Sequence, residues 1–156
     1  MTQVDLTTMA VQVTIRFPAE AGAVWDLLTD VERMAGLGPE HIAARWLTPG
    51  PAVGARFEGR NRIGDREWDV ICLVTESRPP EFIEWNVGDG PLPSSTWSYT
   101  LTPDHGGSTL VTQQFRHGPA RHAVSRDDRV AHERAIPTLV LIVTHANPSL
   151  GLDVIA

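Results

Sequence analysis

From Val11 to Phe17 the chain reads V-Q-V-T-I-R-F, apolar and polar residues in alternation. A period of two puts every second side chain on one face, so the segment is expected to be a strand with one buried side. Pro18 fixes a turn behind it. Residues 19–29 then carry Val24, Leu27 and Leu28, and Val31 continues them, at the spacing of an amphipathic helix. Glu20 stands where the helix dipole favours negative charge. Asp30 is placed to cap a second short helix, because a short carboxylate accepts from the free amides of a helix start, and Gly36 and Gly38 end it. After residue 40 the texture changes to strand-like stretches at 42–47, 54–62, 67–75, 82–87, 96–101 and 109–117, separated by Pro and Gly, as in an antiparallel meander. From Arg126 onward Ala131, Ala135, Leu139, Ile142, Val143 and Ala146 recur in steps of three and four, which predicts a long terminal helix. Pro137 interrupts it at a cost of roughly 3 kcal/mol, and Asn147-Pro148 marks its end.

One turn can be read down to its register. Ile63-Gly-Asp-Arg66 places a two-residue Gly-Asp loop between strands, a favoured tight turn that decides which residues stand opposite. It pairs Arg62 with Glu67 and Arg60 with Asp69 on one face. On the other it pairs Asn61 with Trp68, Gly59 with Val70, Phe57 with Cys72 and Ala55 with Val74. The first face is charged and wet, an ion-pair surface of Arg56, Arg60 and Arg62 with Glu67 and Asp69. The second is fit to line an interior. Carried along the meander, the inner face holds Phe57, Asn61, Trp68, Val70, Cys72, Trp85, Trp97, Tyr99, Val111, Gln113, Phe115 and His117, with Leu139 and Ile142 facing it from the terminal helix. Aromatic and aliphatic walls with a few polar groups are what orient an apolar ligand. The plainer reading is that these side chains simply fill a core.

Composition narrows the partners. A chain of 156 residues, 42% hydrophobic, is one domain's worth and buries a core without disulfide or metal staples. We expect a single α+β domain over 1–156, with a core at 11–146 and an atypical tail at 147–156. Cys72 is the lone cysteine, which rules out an internal disulfide and any multi-cysteine metal site. The start, Met1-Thr-Gln-Val-Asp, has neither a basic nor an apolar stretch, and the longest apolar run, Leu139 to Val143, is far below the roughly 20 residues of a membrane span. A cytoplasmic protein is the expectation. The net charge of −6 and the scattered basic residues argue against nucleic acid. Every basic residue is arginine, the bias of a GC-rich genome, which points to a bacterium.

The order of strand, two short helices, meander and terminal helix meets residues with a resemblance. Pro18-Ala-Glu-Ala-Gly-Ala-Val-Trp25 and Leu27-Leu-Thr-Asp30 resemble the opening of the START-like and Bet v 1-like (SRPBCC) superfamily. Gly54-Ala-Arg-Phe-Glu-Gly-Arg-Asn61, Ile83-Glu-Trp85, Thr96-Trp-Ser-Tyr99 and Gly107-Ser-Thr109-Leu-Val look like its bacterial polyketide cyclase/dehydrase branch. The resemblance runs from about Val11 to Arg116. It implies the helix-grip fold, a seven-stranded curved antiparallel sheet around a long C-terminal helix, with a cavity between them that takes lipids, sterols or polyketides. Some members are aromatases and cyclases, so the likeness supports a fold better than a reaction. Pro137 and the tail Ser149-Leu-Gly-Leu-Asp-Val-Ile-Ala156 depart from the family's uninterrupted last helix.

Three functions stand side by side. The first is a binder of a small hydrophobic molecule of lipid, polyketide or isoprenoid type. The second is a polyketide aromatase/cyclase or dehydratase, in which Tyr99 and His117 form a proton-transfer pair. Such cyclases generally place an arginine in the pocket. Here Arg60, Arg62 and Arg116 face outward, and only a one-residue slip would turn Arg116 inward. The third is an interaction module, in which the apolar turn at Leu139 to Val143 and the tail form a dimer or partner surface. The six histidines form no H-E-x-x-H, and there is no Walker loop, G-x-S-x-G or G-x-G-x-x-G, so no metal and no cofactor are expected.

Overall fold

The computed structural model describes residues 10–35, 41–117 and 154–155. Strand β1 (Ala10–Phe17) leads through the turn at Pro18 into helix α1 (Ala21–Thr29) and the short α2 (Val31–Ala35). Six strands follow: β2 (His41–Trp46), β3 (Arg56–Ile63), β4 (Arg66–Arg78), β5 (Phe82–Val87), β6 (Ser95–Pro103) and β7 (Thr109–His117). They form one curved antiparallel sheet in the order β2-β3-β4-β5-β6-β7-β1. An eighth strand of two residues, β8 (Val154–Ile155), pairs along the other side of β1 opposite Thr14 and Ile15. The seven-stranded sheet of the sequence reading is therefore present with one short addition, drawn from the tail. The long terminal helix, with Leu139 and Ile142, lies outside the described residues.

The two helices form for the reasons their sequences suggest. Asp30 caps α2, its Oδ1 accepting from the backbone amide of Arg33 at 3.2 Å. Val24, Trp25 and Leu28 come one above another on α1 and press onto the sheet. There they meet Ile15 and Phe17 of β1, Val74 of β4, Ile83 of β5, Tyr99 and Leu101 of β6 and Val111 of β7, a continuous core in which Ile15, Val74 and Val111 are at most 1% exposed. Each such aliphatic side chain contributes about 1.5–3 kcal/mol by leaving water. Two bonds fasten the helical segment to the sheet: Trp46 Nε1 donates to the Thr29 carbonyl at 3.2 Å, and Thr109 Oγ1 donates to the Ala19 carbonyl at 2.7 Å.

The β3–β4 hairpin closes on Gly64, whose φ of 59° suits the tight turn. Its ladder pairs Arg62 with Glu67, Asn61 with Trp68, Arg60 with Asp69, Gly59 with Val70 and Phe57 with Cys72, and the Val74 amide donates to the Ala55 carbonyl. The pairing is the one the Gly-Asp loop dictates. On the convex face Arg60 bonds Asp69 at 2.9 Å, which holds the Asp69 carboxyl below its ordinary range and raises the guanidinium. Arg62 reaches Glu67 at 3.8 Å and Arg45 reaches Glu58 at 3.1 Å. Arg56 departs from the expected set and pairs with Asp89 at 3.7 Å. These pairs are wet and contribute little to stability.

Two irregularities redirect the strands. Between Val74 and Glu76 the β4–β5 ladder shifts by one residue, and Thr75 turns its hydroxyl to Glu84 Oε1 at 2.8 Å. This bulge lets β4 run on to Arg78 with Ser77 opposite Ile83. A second shift, between His41 and Ala43 of β2, brings His41 opposite Asn61. Among the described residues no helix is long and apolar enough to cross a membrane.

Candidate functional site

The concave face divides into two halves. One is filled by the core under α1. Along its border runs a row of rings from four strands: Trp46 against Phe57 with centroids 5.2 Å apart, Phe57 against Trp85 at 5.6 Å, and Trp85 against Tyr99 at 5.4 Å. The first two contacts are edge-on, the arrangement aromatic quadrupoles prefer. Beyond the row, towards the β3–β4 hairpin, lie Trp68 and Val70 of β4, Val87 of β5, Trp97 of β6 and Phe115 of β7. All five keep part of their surface accessible, and none belongs to the core under α1. Trp97 and Phe115 stand edge to face at 4.8 Å. Gly59 sits among them without a side chain, and a Cβ there would touch only Val70, at 3.5 Å.

Polar groups are few on this face. Gln113 Nε2 donates to the Tyr99 hydroxyl oxygen at 3.0 Å, and both residues are buried. Burial raises the Tyr99 phenol well above its ordinary range, with the Gln113 bond acting the other way, so it stays protonated. Trp97 Nε1 donates to Ser95 Oγ at 3.2 Å. Burial pushes the Cys72 thiol up to about 12, which makes it a small apolar wall group and no nucleophile near neutrality. Asn61 is buried, and its Oδ1 forms no well-aligned hydrogen bond. Across the ladder, burial lowers the pKa of His41, and the Asn61 amide opposes this in part. Yet His41 keeps a large accessible surface.

The register brings most of the candidate residues together. Phe57, Asn61, Trp68, Cys72, Trp85, Trp97, Tyr99, Gln113 and Phe115 share the concave face, through the pairs Phe57–Cys72, Asn61–Trp68, Trp85–Trp97, Tyr99–Gln113 and Trp97–Phe115. His117 occupies the last position of β7, opposite Ser95. Arg116 is on the convex face, bonded to Glu84 Oε2 at 3.1 Å, so the arginine of a cyclase pocket is not supplied by β7. Two residues escaped the sequence reading: Val87, whose strand was recognised but whose face was not followed, and His41. Strict alternation would turn Ile42 inward, and the bulge gives that place to His41, a shift no residue pattern announces. Among the described residues no three His, Cys, Asp or Glu side chains are grouped to hold a metal ion.

Known proteins with this architecture are numerous. Protein Ms6760 from Mycobacterium smegmatis is 20% identical, with a TM-score of 0.66 over 94% of this chain and 93% of that one. The Polyketide_cyc-like protein Cgl2372 from Corynebacterium glutamicum is 23% identical, with a TM-score of 0.51 over 91% and 82%. Ara h 8.0201 is 10% identical, with a TM-score of 0.65 over 91% and 99%. At these identities the likeness concerns the fold alone, and the fold is the Bet v 1-like, SRPBCC one. A comparison with curated proteins finds no match. The family model described as polyketide cyclase / dehydrase and lipid transport matches residues 8–136, most of the length and nearly all of the sheet, and the chain belongs to that family.

Proposed function

We propose that this chain binds a small hydrophobic molecule, of lipid, polyketide or isoprenoid type, against the open half of its concave face. One observation carries the reading: five large apolar side chains, Trp68, Val70, Val87, Trp97 and Phe115, are turned to the inside of the curve by the register and are only partly buried. Apolar groups turned inward are normally sealed, and a hollow lined this way is the usual form of a site for an apolar ligand. The family's description, which joins cyclases and dehydrases with lipid transport, is consistent with it.

A second reading, cyclisation or dehydration of a polyketide in the same place, draws on the family and on Tyr99, a protonated phenol on the concave face. It is weakened by Arg116, which is engaged with Glu84 on the other side of the sheet. Native mass spectrometry against the denatured mass, followed by extraction, tests binding without a guess about the ligand. A co-purified apolar compound, or saturable Nile red fluorescence displaced by lipids, is the expected result. Clean apoprotein that takes up neither Nile red nor any lipid would overturn the proposal. Product profiles of wild type and Tyr99→Phe on a poly-β-keto substrate separate the second reading from the first.

A further inference from the structure

The two edges of the sheet are protected differently. At one edge β2 carries a bulge between His41 and Ala43, and α2 packs against it. Bulges and covering helices are devices that keep an edge strand from pairing with another chain. At the other edge β1 has neither a bulge nor a proline: its eight residues, Ala10 to Phe17, pair with β7 in unbroken register. Its one charge, Arg16, is bonded to Asp104 at 3.0 Å and is compensated within the chain. Among the described residues, what lies along the outer side of β1 is β8, and it covers Thr14 and Ile15, two positions of the eight. Like β7, β8 runs antiparallel to β1, so this edge accepts a strand of that polarity. A two-residue ladder makes few hydrogen bonds, each of small net worth, and β8 holds its place because a segment of the same chain is present at high local concentration.

We propose that the outer edge of β1 is a strand-docking surface whose partner is β1 of a second copy of this chain, and that β8 guards it, keeping two copies from joining edge to edge. An antiparallel β1–β1 ladder about a twofold axis repeats the polarity that β7 and β8 already show, and the same surface serves both copies. One curved sheet then continues into the other, and backbone amides and carbonyls supply the affinity, as in other cases of strand addition. β8 and the second copy compete for Thr14 and Ile15, so only one of them can be seated. The tail in this arrangement opposes a dimer instead of forming one.

The test uses the full chain carrying Val154→Pro and Ile155→Pro together, since proline donates no hydrogen bond to a ladder. Sedimentation velocity over a concentration series, joined to hydrogen exchange of the β1 amides, compares it with wild type. Wild type is expected to stay a monomer. The double variant should reach a doubled mass as concentration rises, with the outward amides of β1 exchanging about tenfold more slowly in the dimer than in the dilute monomer. Near-ultraviolet circular dichroism of the tryptophans certifies the fold, and a chain ending at Asp153 makes the same comparison if the prolines disturb it. A wild type that is already dimeric, a variant that remains monomeric throughout the series, or a dimer in which the β1 amides exchange as before would overturn the proposal.

Discussion

The Tyr99–Gln113 pair permits a sharp stability measurement. Tyr99 is 4% exposed and Gln113 7%, and the 3.0 Å bond joins adjacent strands on the concave face. Tyr99→Phe removes the acceptor and little volume, so the Gln113 amide must do without a partner in a place with little access to water. A buried donor left unpaired costs about 1–3 kcal/mol, and Gln113→Leu strands the phenol in the same way. Replacing both, as Tyr99→Phe with Gln113→Leu, removes the mismatch and should lie within about 1 kcal/mol of wild type, giving a coupling energy of at least about 1 kcal/mol. Urea unfolding of the four proteins, followed by tryptophan fluorescence, measures the cycle. At this chain length each kcal/mol also moves Tm by about 2–4 °C. Additive single substitutions, or a Tyr99→Phe within about 0.5 kcal/mol of wild type, would refute the reasoning. They would mean that water reaches the amide and that the pair is not sealed.

Tyr99 is the sole tyrosine and Cys72 the sole cysteine, so each can be followed without interference. Burial raises both, Cys72 from 9.0 to about 12 and Tyr99 from 10.0 upward, so the native state holds these protons more tightly than the unfolded chain. Stability should be unaffected by them below pH 9 and fall as pH rises from there to 12. The native protein should show no phenolate absorbance near 295 nm at pH 10, and phenolate there would refute the burial. Cys72 should react with Ellman's reagent at pH 8 only on unfolding, and fast reaction of the folded protein would do the same for the thiol. His41 has the opposite sign: its lowered pKa means the unfolded chain gains a proton first, so stability is lost as pH falls below about 6.5. His41→Phe should flatten that limb in urea titrations, and an unchanged pH slope would exclude His41 as its source. Asp30→Ala should cost about 0.5–2 kcal/mol through the lost α2 cap, and a neutral result in thermal melts would show the cap to be dispensable.

The readings that succeeded from residues alone were local. Gly64-Asp65 sets the β3–β4 register, and that register places Phe57, Asn61, Trp68 and Cys72 on one face. Alternation in β7 put Arg116 outside, where Glu84 holds it. Asp30 was recognisable as a cap because a cap depends on residues three apart. The two register shifts lie beyond any local pattern. The bulges at Thr75 and after His41 insert a residue into one strand of a pair, and the gain appears only when both strands are in place. Arg56 pairs with Asp89 and not with the acids of the hairpin because the ladder sets it opposite Leu73, and Leu73 opposite Asn86 near the end of β5, whereas Asp69 stands opposite Arg60.

Period-two patterning, turn chemistry and capping act over a few residues, and they were enough to determine the elements, much of the register and which side of the sheet is wet. Tertiary structure alone decided how the concave face is divided. The helix α1 fills one half with Val24, Trp25 and Leu28, the aromatic row marks the border, and beyond it Trp68, Val70, Trp97 and Phe115 are only partly buried beside a buried Asn61. Whether a side chain is sealed, open or unpaired depends on groups distant in sequence that meet only when the sheet curves, and no local pattern carries that information.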